Sequence, residues 1–225
     1  MINQHQNKLI FFDIGGTLIG SPDLFHFIAS KYEKDNTEEI KALIRKKYER
    51  IYGNKNERQF LSVKEILRII LKEISEGMGL EDLSNFAHDF YKQFYSKEAY
   101  LYGDVIDSLC ELKRKRVKLI VLSDSDSDIL LAELKRLNIY KYFDGFVISG
   151  DIKAYKPTDK IINKALEYYN SNIKDIYMVG NSDMDILSAE KMKAKSVIIN
   201  RSNKKLNYKS DYCINSLKEL LNIVL

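Results

Sequence analysis

Residues 9–18 read Leu9-Ile10-Phe11-Phe12-Asp13-Ile14-Gly15-Gly16-Thr17-Leu18. Four consecutive apolar residues without alternation describe a strand buried on both faces, as in a parallel sheet covered by helices on each side. An aspartate at the tip of such a strand, followed by two glycines, stands on backbone free to turn sharply and approach a ligand. The same aspartate can equally cap a turn, so the stretch alone leaves its role open. It does say what to seek downstream: further buried strands, each followed by a turn carrying polar side chains.

Runs of the same kind occur at 119–122, 146–148, 177–179 and 197–199, with a short sixth at 212–214. Helical periodicity lies between them at 105–116, 128–137, 159–169 and 183–193. Strand and helix in alternation make right-handed crossovers and a doubly wound parallel sheet, an α/β fold of Rossmann-like type. One stretch breaks the pattern. Between the first two strands only helical spacing is found, at 22–34, 37–52, 63–75 and 80–96. A strand-to-helix connection normally takes a few residues. We therefore expect an all-helical cap domain, residues 21–100, inserted into a core domain formed by 1–20 and 101–225.

Composition narrows the classes. With 225 residues, 45% of them hydrophobic, the chain can bury a core and a modest second layer. The net charge is only +4, and residues 21–100 carry equal numbers of basic and acidic side chains. No basic stripe or tail marks a nucleic-acid surface, and no apolar run approaches the ~20 residues that cross a bilayer. Residues 1–8 are polar, unlike a signal peptide, and the two cysteines, Cys110 and Cys213, form no ligand pair and no disulfide framework. A cytoplasmic location is expected. Nothing in the sequence separates a monomer from a homodimer.

Ligands of an open parallel sheet bind beyond the carboxyl ends of its strands, so the turns there carry the chemistry. The strand at 119–122 runs into Ser123-Asp124-Ser125. A hydroxyl and turn amides at this place suit an anion, and a helix N-cap fits as well. Lys156-Pro157 precedes the helix at 159–169. Proline suits a helix start, and the lysine can turn its ammonium inward as a counter-charge. After 177–179 come Gly180-Asn181-Ser182-Asp183-Met184-Asp185, where oxygen-bearing side chains cluster as a hard cation requires. Asp183 is also a natural N-cap, the reading preferred here. Asp104, beside Gly103 and Asp107, opens a helix ahead of a strand and reads as a cap or first-turn acid.

Each signal is weak by itself; their order is much stronger. A strand-tip Asp13, a helical insertion, a strand-tip Ser123, Lys156-Pro157 and Gly180-Asn181-x-x-x-Asp185 together resemble the haloacid dehalogenase superfamily, in its members with a helical cap inserted after the first motif. The resemblance spans about residues 9–200. For the phosphatases of that superfamily it implies that Asp13 is the nucleophile and forms an aspartyl-phosphate. Ser123 and Lys156 would hold the phosphoryl group, with Asp124 and Gly16 beside them in the phosphate site. Mg²⁺ would be bound by Asp13, the carbonyl of Gly15, Asn181 and Asp185, and the substrate would be a small phosphorylated metabolite under the cap.

Two positions depart from the pattern. Gly15 stands where those phosphatases carry a general acid and base, and Asn181 stands where they carry a metal-facing acid. Three readings therefore remain: a weakened Mg²⁺-dependent phosphatase, a non-catalytic relative that binds a phospho-ligand or a protein, and cleavage of a carbon–halogen or carbon–phosphorus bond. Dehalogenases place a bulky residue where Gly15 stands. Phosphonate enzymes use a cap lysine, for which Lys31, Lys34 and Lys41 are candidates. His5, His26 and His88 lack metal-ligand spacing. Tyr32, Tyr48, Tyr52, Tyr91 and Tyr95 recur at helical spacing and are expected in the cap core, with one or two at the pocket mouth.

Overall fold

Strand β1 (Lys8–Phe12) lies in the middle of the main sheet of the computed structural model, which describes residues 7–32, 36–53, 59–202 and 205–225. The chain then pairs β2 (Ile19–Gly20) with β3 (Tyr100–Leu101), antiparallel, at the two crossings into the helical insertion. Between them run α1 (Leu24–Ala29), α2 (Thr37–Gly53), α3 (Val63–Met78) and α4 (Ala87–Glu98). The core resumes with α5 (Val105–Arg114), β4 (Lys118–Ser123), α6 (Ser127–Arg136), β5 (Gly145–Ile148) and the single turn α7 (Ser149–Ile152). It closes with α8 (Asp159–Leu166), β6 (Asp175–Gly180), α9 (Asp183–Met192), β7 (Lys195–Ile199), β8 (Tyr212–Ile214) and α10 (Leu217–Val224).

Six strands, all parallel, stand in the order β5-β4-β1-β6-β7-β8, so the fold is a doubly wound α/β sheet. Side chains alternate along β1 and divide the core between two faces. Ile10 and Phe12 meet Leu109 and Leu112 of α5, Leu134 of α6 and Leu220 of α10. Leu9 and Phe11 meet Ile161 and Ala165 of α8 with Ala189 and Met192 of α9. Burial on both faces is why the strands read as continuous apolar runs.

The helical insertion has its own apolar cluster, built by Ile40 and Ile44 of α2, Leu67, Ile70 and Ile74 of α3 and Tyr91 of α4; Ile129 of α6 reaches into it. Two polar contacts add to this seam. The buried carboxylate of Asp126 accepts from the amides of Val63 and Lys64 at 3.0 Å each, satisfying orphan donors at the start of α3. The Tyr155 hydroxyl takes the amide of Leu61 and donates to its carbonyl.

The sequence missed β2, β3, α7 and α10 and overran several helix ends. The helix expected at 22–34 covers 24–29, capped by Asp23; its last expected residues, Lys34 among them, lie outside the described ones. The helix expected from 80 begins at Ala87, because Gly79 ends α3 with φ 66° and Asp82 takes the amide of Ser84 into a separate turn. Among the described residues no helix is long and apolar enough to cross a membrane.

Candidate active site

The register of the sheet assembles the site. Phe12 aligns with Val121 and Val179, so Asp13, Ser123 and Gly180 leave the sheet along one edge. The Asp13 amide donates to the Val179 carbonyl at 2.9 Å and fixes the residue at the strand tip. Its buried carboxylate accepts from Lys156 Nζ at 2.8 Å through Oδ1 and from the Thr17 hydroxyl at 3.1 Å through Oδ2. Lys156 Nζ also donates to Asp185 Oδ1 at 2.6 Å. One buried ammonium thus serves two buried carboxylates. Burial raises the Asp13 carboxyl to about 6, Lys156 drawing it down and Asp185 pushing it up. Burial also opposes the charge on Lys156, yet Asp13, Asp185 and Asp124 outweigh that and hold it above the usual lysine range.

Several expected roles change once the partners are known. Asp124 Oδ1 accepts from the Lys156 amide at 2.8 Å and from the Ser149 hydroxyl at 2.6 Å, and Oδ2 accepts from the Tyr52 hydroxyl at 3.0 Å. Its side chain therefore orients Lys156 and ties down the helical insertion; facing a phosphate it would repel. Gly16 gives its amide to the Ile19 carbonyl at 2.7 Å and has none left for a phosphate oxygen. What requires glycine there is φ of 73° and the closeness of Asn181, whose Nδ2 would lie 2.0 Å from a Cβ. Gly180 is needed in the same way, since a Cβ would meet the Asp185 carboxyl at 2.2 Å.

Asp185 is engaged all round. Beyond Lys156 it accepts from the amides of Asn181 at 3.1 Å and Ser182 at 3.0 Å and from the Ser182 hydroxyl at 2.6 Å. This closes the N-terminus of α9 and argues against direct metal ligation. Ser182 holds the N-cap position that Asp183 was expected to fill; Asp183 instead accepts from Asn207 and Tyr208. Asp104 does stand at the start of α5, but its carboxylate binds Arg201, Ser216 and the Leu217 amide. Pro157 precedes Thr158, the N-cap of α8, and so lies outside that helix.

The donors left for a hard cation are Asp13, the Gly15 carbonyl and the Asn181 side chain. Asn181 Nδ2 donates to the Gly15 carbonyl at 3.2 Å, so the two share one spot. Half a turn of the amide presents its oxygen there instead. An all-oxygen set of this kind fits Mg²⁺, at low charge because Lys156 already neutralises part of the cluster. Among the described residues no three His, Cys, Asp or Glu converge as a metal group, at this site or elsewhere.

Ser123 Oγ lies 2.9 Å from Ser125 Oγ, and both line a cavity of about 380 Å³ with Asp13, Lys156, Tyr52 and Asn181. Of the tyrosines, Tyr52 enters this cavity, whereas Tyr32 and Tyr91 are buried. His26 lies 3.2 Å from Glu38 and His88 3.7 Å from Asp128, both away from the site; His5 lies outside the described residues. Lys31 sits over the Phe27 ring and Lys41 pairs with Glu38 and Asp23, so neither lines the cavity.

Sequence reasoning passed over Thr17, Ser125, Asp126 and Glu133. Glu133 carried a signal, since it interrupts the buried face of α6 formed by Ile129, Leu130 and Leu134. Burial pushes its carboxyl up to about 8, with Arg136 pulling the other way. The folded protein therefore keeps a proton there that the unfolded chain releases near 4.5. Stability from this group is complete below 4.5 and is lost as pH rises toward 8. Melting profiles of Glu133→Gln should fall less steeply across that window, by up to about 1.4 kcal/mol per pH unit. Parallel profiles would refute a neutral Glu133.

The sequence profile described as haloacid dehalogenase-like hydrolase matches residues 10–199. The chain is 27% identical over 194 residues to a putative pyrophosphatase PpaX of Clostridium perfringens, covering 84% of this chain and 82% of that protein. It is 26% identical over 234 residues to a phosphoglycolate phosphatase of Vibrio parahaemolyticus, covering 99% and 98%. Its fold matches the L-2-haloacid dehalogenase of Xanthobacter autotrophicus with chloropropionic acid covalently bound, with a TM-score of 0.77, 17% identity and coverage of 97% and 98%. With an aspartate at the tip of β1, a lysine beside it and a profile match over most of its length, the chain belongs to the haloacid dehalogenase-like hydrolase family.

Proposed function

We propose that the chain is a Mg²⁺-dependent phosphatase of small phosphorylated metabolites, acting in the cytoplasm through an aspartyl-phosphate on Asp13. The observation that carries this reading is the buried Asp13 carboxylate, held by Lys156 and Thr17 at the wall of a cavity that also contains Ser123. An Asp13 oxygen attacks phosphorus as the bond to the leaving oxygen breaks, and water later cleaves the acyl phosphate. Lys156 and Ser123 hold the phosphoryl oxygens as charge builds on them. Mg²⁺, held by Asp13, the Gly15 carbonyl and Asn181, would supply further neutralisation of that charge. Residues 21–100 act as the cap that excludes water. Cys110 and Cys213, exposed and outside any disulfide, suit a reducing compartment.

Gly15 has no side chain to move a proton. General acid–base help contributes roughly 10²–10⁴-fold, about 3–5 kcal/mol on the barrier. Aryl and acyl phosphates leave as stable anions and lose little; alkyl phosphates lose most of it. A screen of phosphate esters with and without Mg²⁺, with Asp13→Asn as the blank, should find Mg²⁺-dependent turnover that is faster for aryl esters. A Cβ at position 15 meets nothing within 4 Å, so the Gly15→Asp side chain has room. That variant should gain on alkyl phosphates by about 10²-fold or more while aryl rates barely move. The close approach of Asn181 to the Gly15 carbonyl favours one other reading, a non-catalytic relative that binds a phospho-ligand. Under it Gly15→Asp gains nothing.

A further inference from the structure

Gly15 borders two cavities. The larger contains Asp13, Ser123 and Lys156; the smaller, about 160 Å³, shares Gly15 and Ser125 with it and extends between α4 and α6. A space of about 150 Å³ accommodates a benzene ring, so a small leaving group fits by size. Ile14, Ile19, Tyr91, Tyr95 and Leu130 form much of its wall, and Glu133 lines it as well. Glu133 is only 6% exposed, and its Oε1 is buried without a hydrogen-bond partner. No lysine, arginine or histidine among the described residues lines this smaller cavity. Arg136, on the same helix, gives its guanidinium to the carbonyls of Tyr95 and Ala99. With Lys92 and Asp128 it borders a separate outer cavity that Glu133 also lines.

We infer that the smaller cavity receives the leaving group, and that Glu133 selects leaving groups ending in an uncharged hydroxyl over those ending in a second anion. The inference rests on the phosphatase reading and narrows its substrate class. A carboxylate or second phosphate here would face the Glu133 carboxyl, with no lysine, arginine or histidine among the described lining residues to pair with it. A hydroxyl can both donate to and accept from the Glu133 carboxyl, which gives the orphaned oxygen a partner. The chain would thereby part from the relatives it resembles. Pyrophosphate and phosphoglycolate, the compounds in their names, each carry an anionic group beyond the bond that breaks.

Two esters of nearly equal size isolate this feature: 2-hydroxyethyl phosphate and phosphoglycolate differ at the far carbon, a hydroxymethyl against a carboxylate. With Mg²⁺ present, kcat/KM should favour the hydroxyl ester by about tenfold or more. Glu133→Leu should remove about tenfold of that preference through the KM of the hydroxyl ester alone, and Glu133→Gln, which keeps a donor and an acceptor, should retain it. Preference for phosphoglycolate, or a ratio that Glu133→Leu leaves unchanged, overturns the inference. If neither ester is hydrolysed, Mg²⁺-dependent turnover of aryl phosphates decides the phosphatase reading, and the melting shift of Asp13→Asn with each ester decides the cavity's role. A larger shift with the hydroxyl ester upholds the assignment; an equal or larger one with phosphoglycolate ends it.

Discussion

Asp13→Asn lowers kcat/KM by roughly 10⁴-fold or more and leaves the fold at least as stable as before. The amide occupies the same volume at the tip of β1 but has no anionic oxygen to attack phosphorus, so only the surrounding donors act on the substrate. Stability moves the other way for an electrostatic reason. The Asp13 carboxyl is raised from 3.8 to about 6 in the fold, chiefly by burial, despite the hydrogen bonds from Lys156 and Thr17. The folded protein thus holds that proton more tightly than the unfolded chain. The stability this group contributes is complete below 3.8 and lost as pH climbs through 6. At pH 7.5 the carboxylate is ionised against its burial, a cost the neutral amide avoids while Lys156 keeps Asp185 as its partner. Scanning calorimetry in metal-free buffer, beside single-turnover assays with Mg²⁺, tests both halves. A variant that melts several degrees lower would mean that Asp13 supports the fold rather than burdening it.

Lys156→Met has the largest effect on stability. The ammonium at 2.8 Å from Asp13 and 2.6 Å from Asp185 is the counter-charge of a buried cluster. Methionine fills a similar length without a charge and leaves two carboxylates facing one another out of water. Removing one partner of a buried pair costs about 3–5 kcal/mol, or roughly 6–20 °C in Tm for a chain of this size. Part of the loss should return at pH 5, where protonation relieves the repulsion, and part with Asp185→Asn added to Lys156→Met. Turnover should vanish with the cation, because Asp13 then holds its proton to higher pH and the phosphoryl oxygens lose a donor. A variant that melts with the wild type at pH 7.5 would contradict the pairing.

These two side chains also mark how far the sequence could be read. The place of Asp13 was legible though its role was not, since the continuous apolar run before it fits a strand covered on both faces, and a charge at its tip must leave the sheet. Ser123 and Asn181 were legible by the same logic, as was the helical insertion, because 3.6-residue spacing persists through it. The bonds of Asp124, Asp185 and Gly16 were not. Each was assigned by its place in a pattern, whereas its role follows from which partners stand within hydrogen-bonding distance.

The succession of strands and helices along the chain, the helical insertion and the position of Asp13 were fixed by local pattern, because burial on one face or two imposes its own period on the chain. Which carboxylates share Lys156, that Gly16 spends its amide on Ile19, and that Glu133 comes to line a cavity with Gly15 were decided only in three dimensions. Hydrogen bonds and charge pairs act over a few ångströms, whereas Lys156 and Asp13 lie 143 residues apart along the chain and Asn181 and Gly15 lie 166 apart. Spacing in sequence carries no record of such distances until the sheet has brought its strand ends together.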